Sequence, residues 1–557
     1  MLLLASFSTA FIAGLLAFSR SAYSRRIVYL AAGSAAVFVL LTATWIASDS
    51  FTGEGFNSAV LYHLRTGPEG AGLAEYLGMV LVTVVLAASA LLLAWALVRR
   101  LLPAARTGGS AGATAVALVL VALCALHPTV NGFLSGFNAA VYGPDSSLAG
   151  WWRGENGKNA AGADFNEFYV EPRLLGDSRP ELNLVVLYAE SLEQTYFDEN
   201  LFPGLITELR EIEQEAVRFS DIRNLEGTGF TIAGMVASQC GLPLITNGHP
   251  NSMRGMDQFL PGATCIGDLL GEQDYSLHYM GGASLSFAGK GKFFETHGFE
   301  SVSGWQELAP LLEDPDYASN WGLYDDFVLE QFVDRYLTLS EAGEPFGLFA
   351  LTMDTHHPSG HQSASCDGVV YGDGSNRMLN AVKCADMLLA NTIRRIRASD
   401  WSENTLLVVA SDHTALKNDA WDILRQGRRR NLLWFFPPGE PAREIDRPGT
   451  TLDTASAIMH FLGMPIAEFG LGRSLLAGVV SAAELLPRIN WQMREWRGEF
   501  AAFWQLPNSF ERLLIDPERM VVTIDNRDFE APALATFEGD ELTSMRFAFD
   551  SRTNLHG

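Results

Sequence analysis

Glu190, Asp412 and His413 are the side chains best placed by the sequence to hold a divalent cation, because each stands where an apolar run gives out. Glu190 is the first charge after Leu184 to Tyr188, and Asp412 with His413 ends TLLVVASDH, residues 405 to 413. Two carboxylates and an imidazole suit Mn²⁺ first, with Zn²⁺ or Mg²⁺ as further choices. Each also has a plain reading: Glu190 as the cap of the next helix, Asp412 and His413 as a solvated loop start.

A hydroxyl is offered by NLEGTGFTIAGMVASQCG, Asn224 to Gly241. Gly227 and Gly229 punctuate a turn and Thr231 opens an apolar segment of helical length, so its hydroxyl falls at a helix N-terminus, where free N–H groups attract phosphate. An N-cap without chemistry is the bland alternative. Ile232 occupies the third glycine position of a dinucleotide fingerprint, and Gly291 after Lys290 occupies the Ser or Thr position of a Walker loop, so both motifs fail. In TMDTHHPSGH, His356, His357 and His361 crowd one strand end. With no H-E-x-x-H a zinc protease is not expected, and one of these histidines is suited to steady a phosphate or move a proton near neutral pH.

These groups need a scaffold that gathers strand ends. From Leu182 onward, apolar strand-like runs alternate with longer amphipathic segments, which predicts an α/β domain with a mostly parallel sheet covered by helices. Strands are expected at Leu184 to Tyr188, Ser276 to Met280, Phe346 to Met353, Leu406 to Ala410 and Leu432 to Phe436. Helices are expected at Pro203 to Val217, Thr231 to Ser238, Tyr324 to Leu339, Met378 to Arg397 and Leu452 to Leu462. In such sheets ligands gather beyond the carboxyl ends of the strands, where Glu190 and Asp412 would lie.

The first 128 residues read as a membrane domain. Met1 to Phe18, Ile27 to Ser48 and Tyr76 to Val98 are uncharged and long enough to span, and Ala111 to Leu126 is a shorter fourth candidate. Arg20, Arg25 and Arg26 lie in one connection and Arg99, Arg100 and Arg106 in another, while the connection between them carries Asp49, Glu54, Glu69 and Glu75 against Arg65. The positive-inside rule then leaves both termini, and everything after the fourth span, outside the cytoplasm. Residues 129–180 read as a tether, 181–489 as the catalytic domain and 490–557 as a less regular appendage. A net charge of −25 argues against a nucleic-acid partner. In an exported domain Cys240 would pair with Cys265 and Cys366 with Cys384, each the neighbour in sequence; four buried thiols are the alternative.

The strings SDSFTGEGFNSAVLY (Ser48 to Tyr62), YAESLEQTYFD, GTGFTIAGMVASQCGLPL, FAGKGKFFETHGF, NWGLYDD, LTMDTHHP, SDHTA and FGLGRSLL, in this order, resemble the alkaline phosphatase and sulfatase superfamily. Within it the likeness is to the membrane-bound phosphoglycerol transferase I family of osmoregulated periplasmic glucans, related to the lipoteichoic acid synthases. The resemblance implies a sulfatase-like mixed sheet and a metal held by Glu190, Thr231, Asp412 and His413. Thr231 would be the nucleophile, Thr228 its runner-up, His356 a substrate contact and Lys290 a looser one. It further implies phosphatidylglycerol as donor, a periplasmic glucan as acceptor and a bacterial inner-membrane setting with a periplasmic active site. A phosphodiesterase, or a head-group transferase of the phosphoethanolamine type, would use the same site. The Cys or Ser-x-Pro-x-Arg nucleophile of true sulfatases is missing, so sulfate-ester hydrolysis is not expected.

Overall fold

A computed structural model of the chain describes residues 2–19, 24–52, 73–105, 111–130, 164–174, 182–245, 257–485, 493, 495–505, 513–524, 527–531, 533–538 and 541–547. Positions 53–62 of the Ser48 to Tyr62 motif, Arg20, Arg65 and Arg106 of the membrane connections, and most of the 129–180 tether lie outside the described residues. The chain divides into two compact units, residues 1–64 with 72–155, and residues 65–71 with 156–557.

The first unit holds the apolar helices α1 (Leu2–Ser19), α2 (Arg25–Thr52), α3 (Leu73–Leu101) and α4 (Ala111–Ala125). Arg25–Asp49 and Leu81–Leu101 are long and apolar enough to cross a membrane, whereas Ala5–Phe18 and Ala111–Ala125 are shorter. Small residues let these helices approach, with Ala31, Ala35, Ala113 and Ala117 buried together. Outward, α3 exposes Leu81, Val84, Leu91 and Leu92, a surface that hydrocarbon accepts and water does not.

The second unit is built on one sheet of β1 (Asn183–Ala189), β2 (Val217–Phe219), β3 (Ser276–Gly281), β4 (Ser301–Ser303), β5 (Phe346–Leu351), β6 (Thr405–Ser411), β7 (Leu433–Phe436) and β8 (Arg443–Ile445), in the order β4-β3-β5-β1-β6-β7-β2-β8. The run from β4 to β6 is parallel and β7 is antiparallel to both neighbours, so the sheet is mixed. Strands at its centre are buried on both faces, which is why they read as unbroken apolar runs rather than alternating ones. Helices α5 (Thr231–Cys240), α6 (Lys290–Thr296), α7 (Asp325–Ala342), α8 (Arg377–Arg397) and α9 (Thr454–Phe461) belong to this unit. On one face Val185, Leu187, Leu348, Leu407 and Val409 pack with Phe332 and Tyr336 of α7 and Leu389 and Ile393 of α8 in a single core. Both expected cysteine pairs are disulfides, Cys240–Cys265 and Cys366–Cys384.

Three expectations need correction. The helix expected over Pro203 to Val217 is only Glu208–Ile212 with a following 3-10 turn, and Val217 already begins β2. Its start is dictated from afar, since the buried Asp386 carboxylate of α8 accepts the N–H groups of Thr207, Glu208 and Leu209. Strand β5 stops at Leu351, two residues short of Met353, because the N–H groups of Met353 and Asp354 turn to the Asp325 carboxylate. Beyond residue 490 the chain is more regular than expected, with antiparallel strands Leu513–Asp516, Val521–Ile524 and Arg527–Glu530 and a hairpin of Ala533–Glu538 with Glu541–Phe547.

Candidate metal centre and nucleophile

Parallel pairing of β1 with β6 sets Ala189 opposite Ser411, so the next residues, Glu190 and Asp412, emerge side by side at the carboxyl edge of the sheet. His413 follows, its Nε2 3.7 Å from Glu190 Oε1 and 3.4 Å from Asp412 Oδ2. All three side chains are buried, and their ligand atoms lie within 4.8 Å of one another. His413 Nδ1 lies 2.8 Å from the Thr414 carbonyl; that contact makes Nδ1 the protonated nitrogen and turns the Nε2 lone pair toward the carboxylates.

The donor set fits a divalent cation. Among the described residues Asp412 Oδ2 is buried without a hydrogen-bond partner, a costly state for an isolated carboxylate oxygen. Burial, and then the neighbouring Glu190 charge, pushes the Asp412 carboxyl up to about 7. Burial alone would lower His413, but Asp412 and Glu190 together outweigh it and raise its pKa. Two oxygens and a nitrogen around one point, short of positive charge, are what a hard or borderline cation supplies.

Helix α5 brings the hydroxyl. Phe230 is its N-cap, and Thr231, the first helical residue, is half-buried and donates to Glu190 Oε2 at 3.3 Å. This approach depends on Gly234, where an added Cβ would stand 1.9 Å from the Asp412 carbonyl oxygen. Thr228 is differently employed, its hydroxyl donating to the Leu225 carbonyl at 3.0 Å and accepting the Leu225 N–H at 2.8 Å in the turn before α5.

His356 is buried with its ring centroid 3.8 Å from that of Trp321, and its Nδ1 lies 2.8 Å from the His357 carbonyl. Burial holds its pKa down at about 4, so the ring is neutral at pH 7. Lys290, the first residue of α6, is buried within electrostatic reach of Glu190 and Asp412; burial lowers its pKa to about 8 while those two charges resist the fall. His361 enters the same segment through its N–H, which donates to the Asp354 carbonyl.

Sequence reasoning missed Ser191, Trp321, Gly234 and Asp325. Ser191 touches both carboxylates of the cluster. Asp325 anchors the start of the histidine segment and is itself pushed up to about 7, by burial first. Trp321 sits in NWGLYDD, but nothing in that string tells which histidine its ring will cover.

Residues 1–135 match the family model described as the N-terminal domain of phosphoglycerol transferase I, and residues 182–464 match the model described as Sulfatase. A Xanthomonas euvesicatoria pv. vesicatoria protein named phosphoglycerol transferase I is 40% identical over 461 residues, covering 82% of this chain and 62% of the relative. An Escherichia coli protein of the same name is 36% identical over 511 residues, covering 89% of this chain and 63% of the relative. The chain thus spans less than two thirds of the length of these curated relatives. Among solved structures, the lipoteichoic acid synthase LtaP from Listeria monocytogenes is similar at a TM-score of 0.47 and 13% identity, covering 62% of this chain and 97% of that one. With the Sulfatase match reaching across the whole main sheet and all three clustered side chains, the chain belongs to the sulfatase family.

Proposed function

We propose that this chain is a phosphoglycerol transferase that moves phosphoglycerol from phosphatidylglycerol to a periplasmic glucan through a glycerophosphoryl-threonine at Thr231. The contact of the Thr231 hydroxyl with Glu190 Oε2, at the rim of the three-ligand cluster, carries the reading. The names of the relatives supply the transferred group. Glu190, Asp412 and His413 would hold a divalent cation, Mn²⁺ before Zn²⁺ or Mg²⁺, with Thr231 as a further ligand. Such an ion supplies neutralisation of phosphoryl charge and a lowered hydroxyl pKa.

In the first step Thr231 Oγ attacks phosphorus, the bond to the diacylglycerol oxygen breaks, and diacylglycerol leaves. A glucan hydroxyl then attacks the same phosphorus and frees Thr231. His356, neutral and with Nδ1 held by its own loop, presents Nε2 as an acceptor for the glycerol or glucan hydroxyl. Lys290 sets a positive charge beside the phosphoryl oxygens. Thr228 serves the turn that orients α5. Residues 1–128 would form the membrane domain, 129–180 the tether, 181–489 the catalytic domain and 490–557 the appendage. The two disulfides support a periplasmic setting at the inner membrane.

The purified chain given phosphatidylglycerol labelled in the glycerol headgroup is expected to label added glucan. Free glycerophosphate formed at the same rate with or without glucan would make it a phosphodiesterase; labelling from phosphatidylethanolamine instead would move the headgroup to phosphoethanolamine.

Two further results are expected in this assay. Gly234→Ala must push α5 off the Asp412 backbone, and a displacement near 1 Å is enough to lower turnover about 100-fold in protein that remains folded by circular dichroism. Lys290, with its pKa near 8, is cationic at neutral pH and loses its charge above it. Turnover should therefore fall as pH rises through 8, and Lys290→Arg, which stays charged, should remove that alkaline limb. An unchanged limb in Lys290→Arg would assign it to another group.

A further inference from the structure

We infer that Ser191 is the positioning residue that presets both carboxylates of the cation site. The inference rests on reading Glu190, Asp412 and His413 as a cation site, and not on which group is transferred.

Ser191 directly follows Glu190, is 2% exposed, and has φ 53, a left-handed conformation that a serine rarely adopts. That turn aims both of its polar groups at the site. Its N–H donates to Asp412 Oδ1 at 2.9 Å and its hydroxyl donates to Glu190 Oε1 at 2.7 Å. The His413 N–H adds a second bond to Asp412 Oδ1 at 2.9 Å. One oxygen of each carboxylate is thereby occupied. The oxygens left over are Asp412 Oδ2, buried without a hydrogen-bond partner among the described residues, and Glu190 Oε2, which accepts the Thr231 hydroxyl. Ser191 thus selects which oxygens are free for the ion and the nucleophile. A residue needed only to make the turn would be served as well by glycine, which enters this backbone region freely and has no hydroxyl.

The test compares Ser191→Gly and Ser191→Ala with the wild type in the full chain, stripped with EDTA and titrated calorimetrically with Mn²⁺ and, separately, Zn²⁺. Both variants lose the hydroxyl and keep the N–H, but Gly also relieves the backbone while Ala retains its strain. Cation affinity should fall about 10-fold or more in both, the size expected when a partner of a metal ligand is lost. The metal-free Tm of Ser191→Gly should equal or exceed that of the wild type. Affinity within twofold of the wild type in the folded Gly variant would overturn the role of Ser191 while leaving the cation reading intact. A wild-type chain that binds neither ion would overturn both.

Discussion

Thr231→Ala is expected to lower transfer by about 10³-fold or more, a barrier increase of roughly 4 kcal/mol, with the fold close to that of the wild type and the cation affinity lowered by the loss of one ligand. The position makes the substitution a clean one. Thr231 is the first residue of its helix rather than the N-cap, and its side chain is half-buried, so removing the hydroxyl breaks no cap and opens no cavity. Alanine is also the stronger helix former, which works against any general loss of stability. What disappears is the hydroxyl beside Glu190 Oε2, the proposed nucleophile. Thr231→Ser should retain most of the activity. Intact mass after brief exposure to donor without glucan should show a glycerophosphoryl adduct on the wild type and the Ser variant and none on Thr231→Ala. Thr228→Ala is the matching control: it loses two hydrogen bonds of the Leu225 turn, costs about 1 kcal/mol in stability, and should still form the adduct. An adduct on Thr231→Ala would transfer the role elsewhere.

How much of this was legible beforehand follows from what each feature depends on. Strands β1 and β6 announced themselves because a strand buried on both faces must be apolar throughout, and the first charges after them had to sit at the sheet edge. Thr231 was visible as a helix start for a similarly local reason, a Gly-rich turn running into an apolar segment. The cysteine pairs were legible because sequence neighbours proved to be spatial ones. Several of the misses depend on distant partners. Asp386 decides where the helix at Glu208 begins, Asp325 decides where β5 ends, and Gly234 has its meaning only against the Asp412 carbonyl. Ser191 looked like any residue after a strand, since neither its left-handed turn nor its double contact leaves a pattern in the chain. Local pattern therefore located the candidate cluster, and tertiary contact chose the residues that hold it in place.

A second large effect is expected at another residue that acts across the fold, Arg429. Its guanidinium binds Glu193 through both Nε and Nη2, and Nη2 also donates to the Ala415 carbonyl. Glu193 Oε2 in turn accepts the Ala415 N–H at 2.9 Å. The pair thus ties a residue three beyond Glu190 to one two beyond His413, holding together the two strand ends that carry the ligands. Glu193 is wholly buried, so Arg429→Ala leaves a carboxylate out of water with its cation removed, a loss of about 3–5 kcal/mol, visible as a lowered denaturation midpoint with unchanged m. The structure also explains why lysine should be a poor substitute: a single ammonium cannot meet both Glu193 oxygens and Ala415 from one plane. The double variant Glu193→Met with Arg429→Met removes both charges and should recover much of the midpoint. Cation affinity should fall in Arg429→Ala and stay low in the double variant, because apolar side chains restore packing without restoring the tie between the Glu190 and His413 strand ends. Recovery of both together would show that the pair serves stability alone, and an Arg429→Ala unfolding free energy within about 1 kcal/mol of the wild type would place it among ion pairs that contribute little.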